Sequence, residues 1–135
     1  MYGEYGILFL AFHGDPEVLY LPGEKGKREE LSLSELGDLL EGKCKGKVIY
    51  FGSCGTLYTH LTKLKSFLRK TSALAICGYK EDIDWMQSSA FEILLLDAFQ
   101  KRAFTRQGME LVLRDIKDIS PKLVKTLQFK FIFDR

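Results

Sequence analysis

VIYFGSCGTL, residues 48–57, runs four apolar residues together, adds Gly52 and Ser53, and then places a cysteine before Gly55. A short continuous apolar run that is β-branched and aromatic, bounded by glycine, reads as a strand buried on both faces. Such strands belong to parallel sheets with helices packed on either side. The sulfur at the exit asks for its own explanation, because neither packing nor turn chemistry requires it there.

Working outward, the same signature recurs twice. GILFLAF (6–12) is apolar and runs into His13-Gly14, and ALAICGY (73–79) is a third buried strand. Between the first two lie EVLYL (17–21), a short strand or hairpin arm closed by the surface turn PGEKGK, and SLSELGDLLEG (32–42). In the latter, Ser32 followed three residues on by Glu35 is a capping box, and Gly42 supplies the stop of a short helix. From Thr56 to Lys70, Leu57, Leu61, Leu64 and Leu68 recur at helical spacing. DWMQSSAFEILLLDAFQKRA (84–103) is apolar around most of its girth and reads as a buried helix. TRQGMELVLRDIKDIS (105–120) is another helix, bounded by Pro121, and LQFKFIF (127–133) reads as an edge or half-exposed strand. Strands alternating with helices give an α/β fold with a mostly parallel sheet. In such sheets chemistry gathers beyond the carboxyl ends of the strands.

The chain has 135 residues, 46% hydrophobic and 28% charged, enough for one domain over 1–135 with a real core. A formal net charge of +2 implies no strong pull toward nucleic acid, and the lysines of GEKGKREE and GKCKGK read as solvated loops. The longest apolar stretch, AFEILLLDAF, is interrupted by Glu92 and Asp97 and falls short of the ~20 residues a bilayer needs, so no membrane partner is expected. The start lacks the basic region and cleavage site of a signal peptide. Three cysteines at irregular spacing argue against a disulfide framework and for a reducing, cytoplasmic setting. Cys44, Cys54, Cys77, His13 and His60 form no paired ligand spacing for a metal, and HGDPE lacks the glycines and lysine of a phosphate loop, so no cofactor is expected.

Two strand ends therefore carry reactive groups, His13 and Cys54, 41 positions apart. If their strands are adjacent and parallel, joined by one crossover through the 32–42 helix, both side chains reach the same rim. An imidazole within hydrogen-bond reach supplies the base that a thiol needs to become a nucleophile. A helix starting near Thr56 would favour the thiolate through its unpaired N–H groups. The amides of Gly14 and Cys54 are natural oxyanion donors, an effect worth ~3–4 kcal/mol in the transition state.

An apolar strand ending in His-Gly, a hairpin-like segment, a helix opening on LSLSEL, and an apolar strand ending in Ser-Cys-Gly-Thr together resemble the caspase-like cysteine peptidases. The separase-related CHAT branch is the nearest match, over roughly residues 6 to 100. The resemblance implies a three-layer α/β/α sandwich and a cysteine endopeptidase acting on a protein or peptide through a thioester. His13 would be general base, Cys54 nucleophile, and the Gly14 and Cys54 amides the oxyanion hole. The loop GYKEDIDW would help form the substrate pocket, with Asp82 and Asp84 receiving a basic side chain and Trp85 forming a wall. The family context extends to bacterial conflict and defence systems. Caspase-like domains carry one or two strands and a helix ahead of the His-Gly strand, and here only a few residues precede it. Those elements come from another chain, or this is a fragment of a longer protein, or the fold is pared down. Dimerisation through LQFKFIFDR is a further implication of the family.

Plainer readings stand beside these. Cys54 as an inert core cysteine competes with the nucleophile, and His13 as a satisfied structural histidine competes with the base. Cys44 and Cys77 read as structural, and His60, flanking a leucine stripe, as packed or half-exposed. The alternative function is a non-catalytic caspase-like module working through a regulatory partner chain or a homodimer.

Overall fold

The computed structural model describes residues 6–11, 13–15, 17–22, 28–52, 55–57, 59–79 and 84–133, with the side chains of 13–15, 22 and 28 left aside. Three apolar tetrads make the parallel part of the main sheet: β1 (Ile7–Leu10), β5 (Val48–Phe51) and β6 (Ala75–Gly78). A fourth strand, β7 (Lys130–Phe133), joins antiparallel, giving the order β1-β5-β6-β7. The two central strands are buried at every position because helices cover both faces. Val48, Tyr50, Ala75 and Cys77 point into one core, and Ile49, Phe51 and Ile76 into the other. Period-two alternation has thus sorted a continuous apolar run into two cores.

The first core lies under α3 (Trp85–Gln100) and α4 (Arg106–Ile119) and holds Phe91, Leu95, Phe99, Met109, Val112 and Ile116. The second lies under α1 (Leu33–Leu39) and α2 (Leu61–Thr71) and holds Leu36, Leu64, Phe67 and Leu68. Each such side chain withdrawn from water contributes about 1.5–3 kcal/mol before entropy is set against it. The architecture is α/β/α, a mostly parallel sheet between two helical layers.

Helix starts follow local chemistry. Ser32 accepts from the Glu35 amide at 3.1 Å while Glu35 accepts from the Ser32 amide at 3.3 Å, so the capping box closes. Asp84 caps α3 through the amides of Met86 and Gln87, and Thr105 caps α4 through that of Gly108. Gly108 is also a close-approach glycine, since a Cβ there would lie 1.8 Å from the Ala103 carbonyl oxygen.

A second, antiparallel sheet sits between β1 and α1 in the chain. It comprises β2 (His13–Asp15), β3 (Val18–Pro22) and β4 (Arg28–Ser32), in that order. Its Leu19 is 1% exposed and joins the α1/α2 core, which anchors the small sheet to the domain.

Several expectations are corrected here. The first strand ends at Leu10 rather than residue 12, and His13 opens a new strand that pairs with Tyr20 of β3. The connection from β1 to β5 therefore contains three strands as well as α1. The helix expected from Thr56 begins at Leu61, because Gly55, Thr56 and Leu57 form a turn at the rim. Cys54 does not stand directly before a helix, so the dipole argument for its thiolate lapses. Pro121 does not simply end α4 but begins α5 (Pro121–Thr126), taking the first-turn position where a missing N–H costs nothing. The α3 helix is buried along only part of its girth: Trp85, Met86, Ile93 and Leu96 are exposed.

Candidate functional site

Adjacency of the two key strands is observed. Parallel pairing of β1 with β5 matches Ile7 to Val48 and Leu10 to Phe51, a constant offset of 41 positions. The ladder runs one step further, with the Gly52 amide donating to the Leu10 carbonyl at 2.9 Å. The same offset separates His13 from Cys54. Past Leu10 the chain leaves this sheet for the small one, so His13 is held by β3 rather than by β5.

The segments flanking the two residues meet at the carboxyl rim. The Glu17 amide donates to the Thr56 carbonyl at 3.1 Å, and the Thr56 hydroxyl donates to the Val18 carbonyl at 3.1 Å. The residues two beyond Cys54 and four to five beyond His13 are therefore bonded to one another. Gly55 takes φ +74°, a left-handed conformation that turns the chain sharply after the cysteine and that other residues adopt at a cost. Thr56 and Leu57 are buried against the sheet end. Lys130, at the start of β7, donates to the Leu57 carbonyl at 3.1 Å and holds the turn from the far side.

Beside this turn is an open cleft of about 580 Å³ lined by Glu17, Thr59, His60, Lys63 and Lys130. Lys63 bonds the Glu17 carboxylate at 2.6 Å, and this hydrogen bond, outweighing partial burial, holds that carboxyl below its ordinary range. His60 is exposed at the N-cap of α2 and makes no capping bond, rather than packing beside the leucine stripe. Reading the sequence passed over Glu17, Thr59, Lys63 and Lys130 as site residues. No local pattern marks them, since they converge from the turn before β3, the segment leading into α2, α2 itself and β7 only once the sheet forms.

Cys54 and Asp82 lie outside the described residues, as does the side chain of His13. The backbone of Gly14 lies in β2 opposite Leu19. Asp84 is exposed, its carboxylate engaged by the amides of Met86 and Gln87 at the start of α3. Trp85 is 71% exposed beside it. The other thiols are spectators. Cys77 is fully buried and Cys44 is 2% exposed, and burial pushes both up from the ordinary thiol range, Cys77 far more than Cys44.

Among the described residues no group of three or more histidine, cysteine, aspartate or glutamate side chains is placed to hold a metal, and no helix is long and apolar enough to cross a membrane. No curated protein matches the chain, and no solved structure matches it. Residues 1–133 match the Family of unknown function (DUF6642), and the chain belongs to that family.

Proposed function

We propose that this member of DUF6642 is a cytoplasmic cysteine endopeptidase of the caspase-like, CHAT-related kind, working through a His13/Cys54 dyad. The observation that carries the reading is the parallel adjacency of β1 and β5, whose carboxyl ends lead into the segments that hold His13 and Cys54. The bonds from Thr56 to Glu17 and Val18 add support by tying the two flanking segments together. The α/β/α layering with a mostly parallel sheet is the architecture this chemistry would use.

In this reading His13 takes the thiol proton and the Cys54 sulfur attacks the scissile carbonyl carbon. The amides of Gly14 and Cys54 hold the resulting oxyanion. Collapse breaks the C–N bond, the amine leaves with the proton from His13, and a thioester remains. Water, deprotonated by His13, hydrolyses it to a carboxylic acid and the free thiol. The reading assigns Asp82, Asp84 and Trp85 to recognition of a basic residue before the cleaved bond, Asp84 with what its capping role leaves free.

The test is incubation with a proteome-derived peptide library, read by mass spectrometry for new amino termini. Wild type is expected to generate them, and folded Cys54→Ala and His13→Ala variants are not. Equal cleavage by either variant refutes the dyad. A second reading, a non-catalytic module that binds a partner chain or a copy of itself, is favoured by the exposed apolar residues of α3 and by the edge strand β7. It gains if Cys54 alkylates no faster than an ordinary thiol at neutral pH.

A further inference from the structure

Away from the rim, on the α3 side of the sheet, a pocket of about 250 Å³ opens between β1 and α3. Its walls are apolar: Ile7 and Phe9 from β1, Leu96 and Phe99 from α3, and the ring of Tyr50, on which Phe9 stacks at 4.7 Å between centroids. One charged group lines it, the half-buried carboxyl of Glu92. Oε1 of Glu92 accepts from the Tyr50 hydroxyl at 3.1 Å and the Tyr79 hydroxyl at 3.0 Å. Among the described residues no cation pairs with it. Burial pushes its carboxyl above the ordinary range, against the pull of the Tyr79 hydroxyl. An anionic group wrapped in hydrocarbon and aromatic rings is complementary to a long aliphatic stem ending in a cation.

The strand beside the pocket adds a second element of recognition. The Val48 amide bonds the Gly6 carbonyl and the Gly52 amide bonds the Leu10 carbonyl, so the even-numbered residues of this segment turn their backbone groups toward β5. Ile7 and Phe9 turn theirs to the opposite edge, with which no strand pairs among the described residues. The residues that offer backbone groups at that edge are those whose side chains line the pocket.

We propose that the β1 edge and this pocket bind an extended peptide segment carrying a lysine or arginine. Its backbone adds to β1 at Ile7 and Phe9, and its basic side chain lies along Phe9 and Leu96 to reach Glu92. The site is independent of the His13/Cys54 chemistry, and neither residue takes part in it.

A fluorescein-labelled heptapeptide, Thr-Val-Thr-Lys-Thr-Val-Thr, tests this by fluorescence anisotropy on the full chain. Saturable binding is expected at least tenfold tighter than for the same peptide with norleucine in place of lysine. Glu92→Gln, which keeps an acceptor for both tyrosines, should erase that difference while far-UV circular dichroism stays unchanged. Methylating alternate peptide amides, in each of the two registers, should abolish binding in one register only. Equal affinity for the lysine and norleucine peptides overturns the proposal, as does no binding of either. Binding of n-hexylamine as tight as the peptide makes this a small-amine site and overturns the strand component. A chain that is already dimeric and refuses the peptide overturns it in favour of a second copy on that edge.

Discussion

Thr56→Val tests whether the rim is assembled as a unit. The Thr56 hydroxyl is buried and donates to the Val18 carbonyl at 3.1 Å, joining the turn after Cys54 to the hairpin that carries His13. Valine has the same shape and no donor, so the change deletes the bond and leaves a carbonyl short of a partner. The penalty for such a group is about 1–3 kcal/mol, which at roughly 4 °C per kcal/mol for a chain of this size lowers Tm by about 4–12 °C. The comparison is Thr71→Val. Thr71 is equally buried and its hydroxyl bonds the Phe67 and Leu68 carbonyls at 2.9 and 3.2 Å, but it sits by the amino ends of the strands, near Cys44 and Lys47. Both variants lose stability, and only Thr56→Val should disturb the proposed dyad. The assay is the pH dependence of iodoacetamide labelling, resolved by peptide mass spectrometry. Wild-type Cys54 should react with a midpoint well below the ordinary thiol range, while Cys44 and Cys77 stay unlabelled. In Thr56→Val the midpoint should climb toward ~8.5, with a roughly tenfold slower rate at pH 7. If Thr56→Val loses its stability and labels with the wild-type profile, the tie does not position the thiol and the reasoning fails.

Other outcomes follow from the packing and the caps. Gly108→Ala should destabilise by about 2–4 kcal/mol in urea unfolding, since its Cβ would meet the backbone oxygen of Ala103 rather than a yielding side chain. Ser32→Ala should cost about 1 kcal/mol by the same measure, through loss of the capping box at α1. Glu92 has a folded pKa raised mainly by burial, so its contribution is fully present below the ordinary glutamate value near 4.5 and is lost as pH rises through the raised value. Melting curves from pH 4 to 8 should therefore show wild type falling relative to Glu92→Gln as pH increases. The Asp115 carboxylate is the opposite case: its hydrogen bonds from Arg102, at 2.8 and 3.0 Å, hold its pKa below the ordinary value. Asp115→Asn should lower Tm at neutral pH and lose that effect as pH falls through the depressed folded pKa.

The main sheet was legible because its two central strands are buried on both faces, which forces continuous apolar runs at 48–51 and 75–78, and the apolar edge strand at 7–10 carries the same signature. The capping box at Ser32 was legible for the same kind of local reason. The strand at Arg28–Ser32 was not, since REELS is polar and two-sided and owes its conformation to pairing with β3. Leu57 misled the helix start: it sits four residues before Leu61, yet it is buried in the turn rather than on a helical stripe. Apolar composition hid the exposure of α3, because a helix can be hydrophobic on a face the domain leaves open. Of the candidate site, the adjacency of the strands that precede His13 and Cys54 could be read from the chain. The cleft at Glu17, Lys63 and Lys130 could not, as its members are brought together only by tertiary pairing.

The antiparallel strand at the end of the sheet also bears on how the polypeptide is made. Ile76 finds its neighbour in Ile132, 56 residues later, and Phe131 and Phe133 close over the α3/α4 core from that strand. A ribosome therefore releases both cores' helices and three parallel strands before the piece that seals them. During that interval the side of β6 awaiting Lys130–Phe133 is an unpaired hydrophobic seam in the nascent chain, the kind of transient surface that makes a folding chain prone to aggregate.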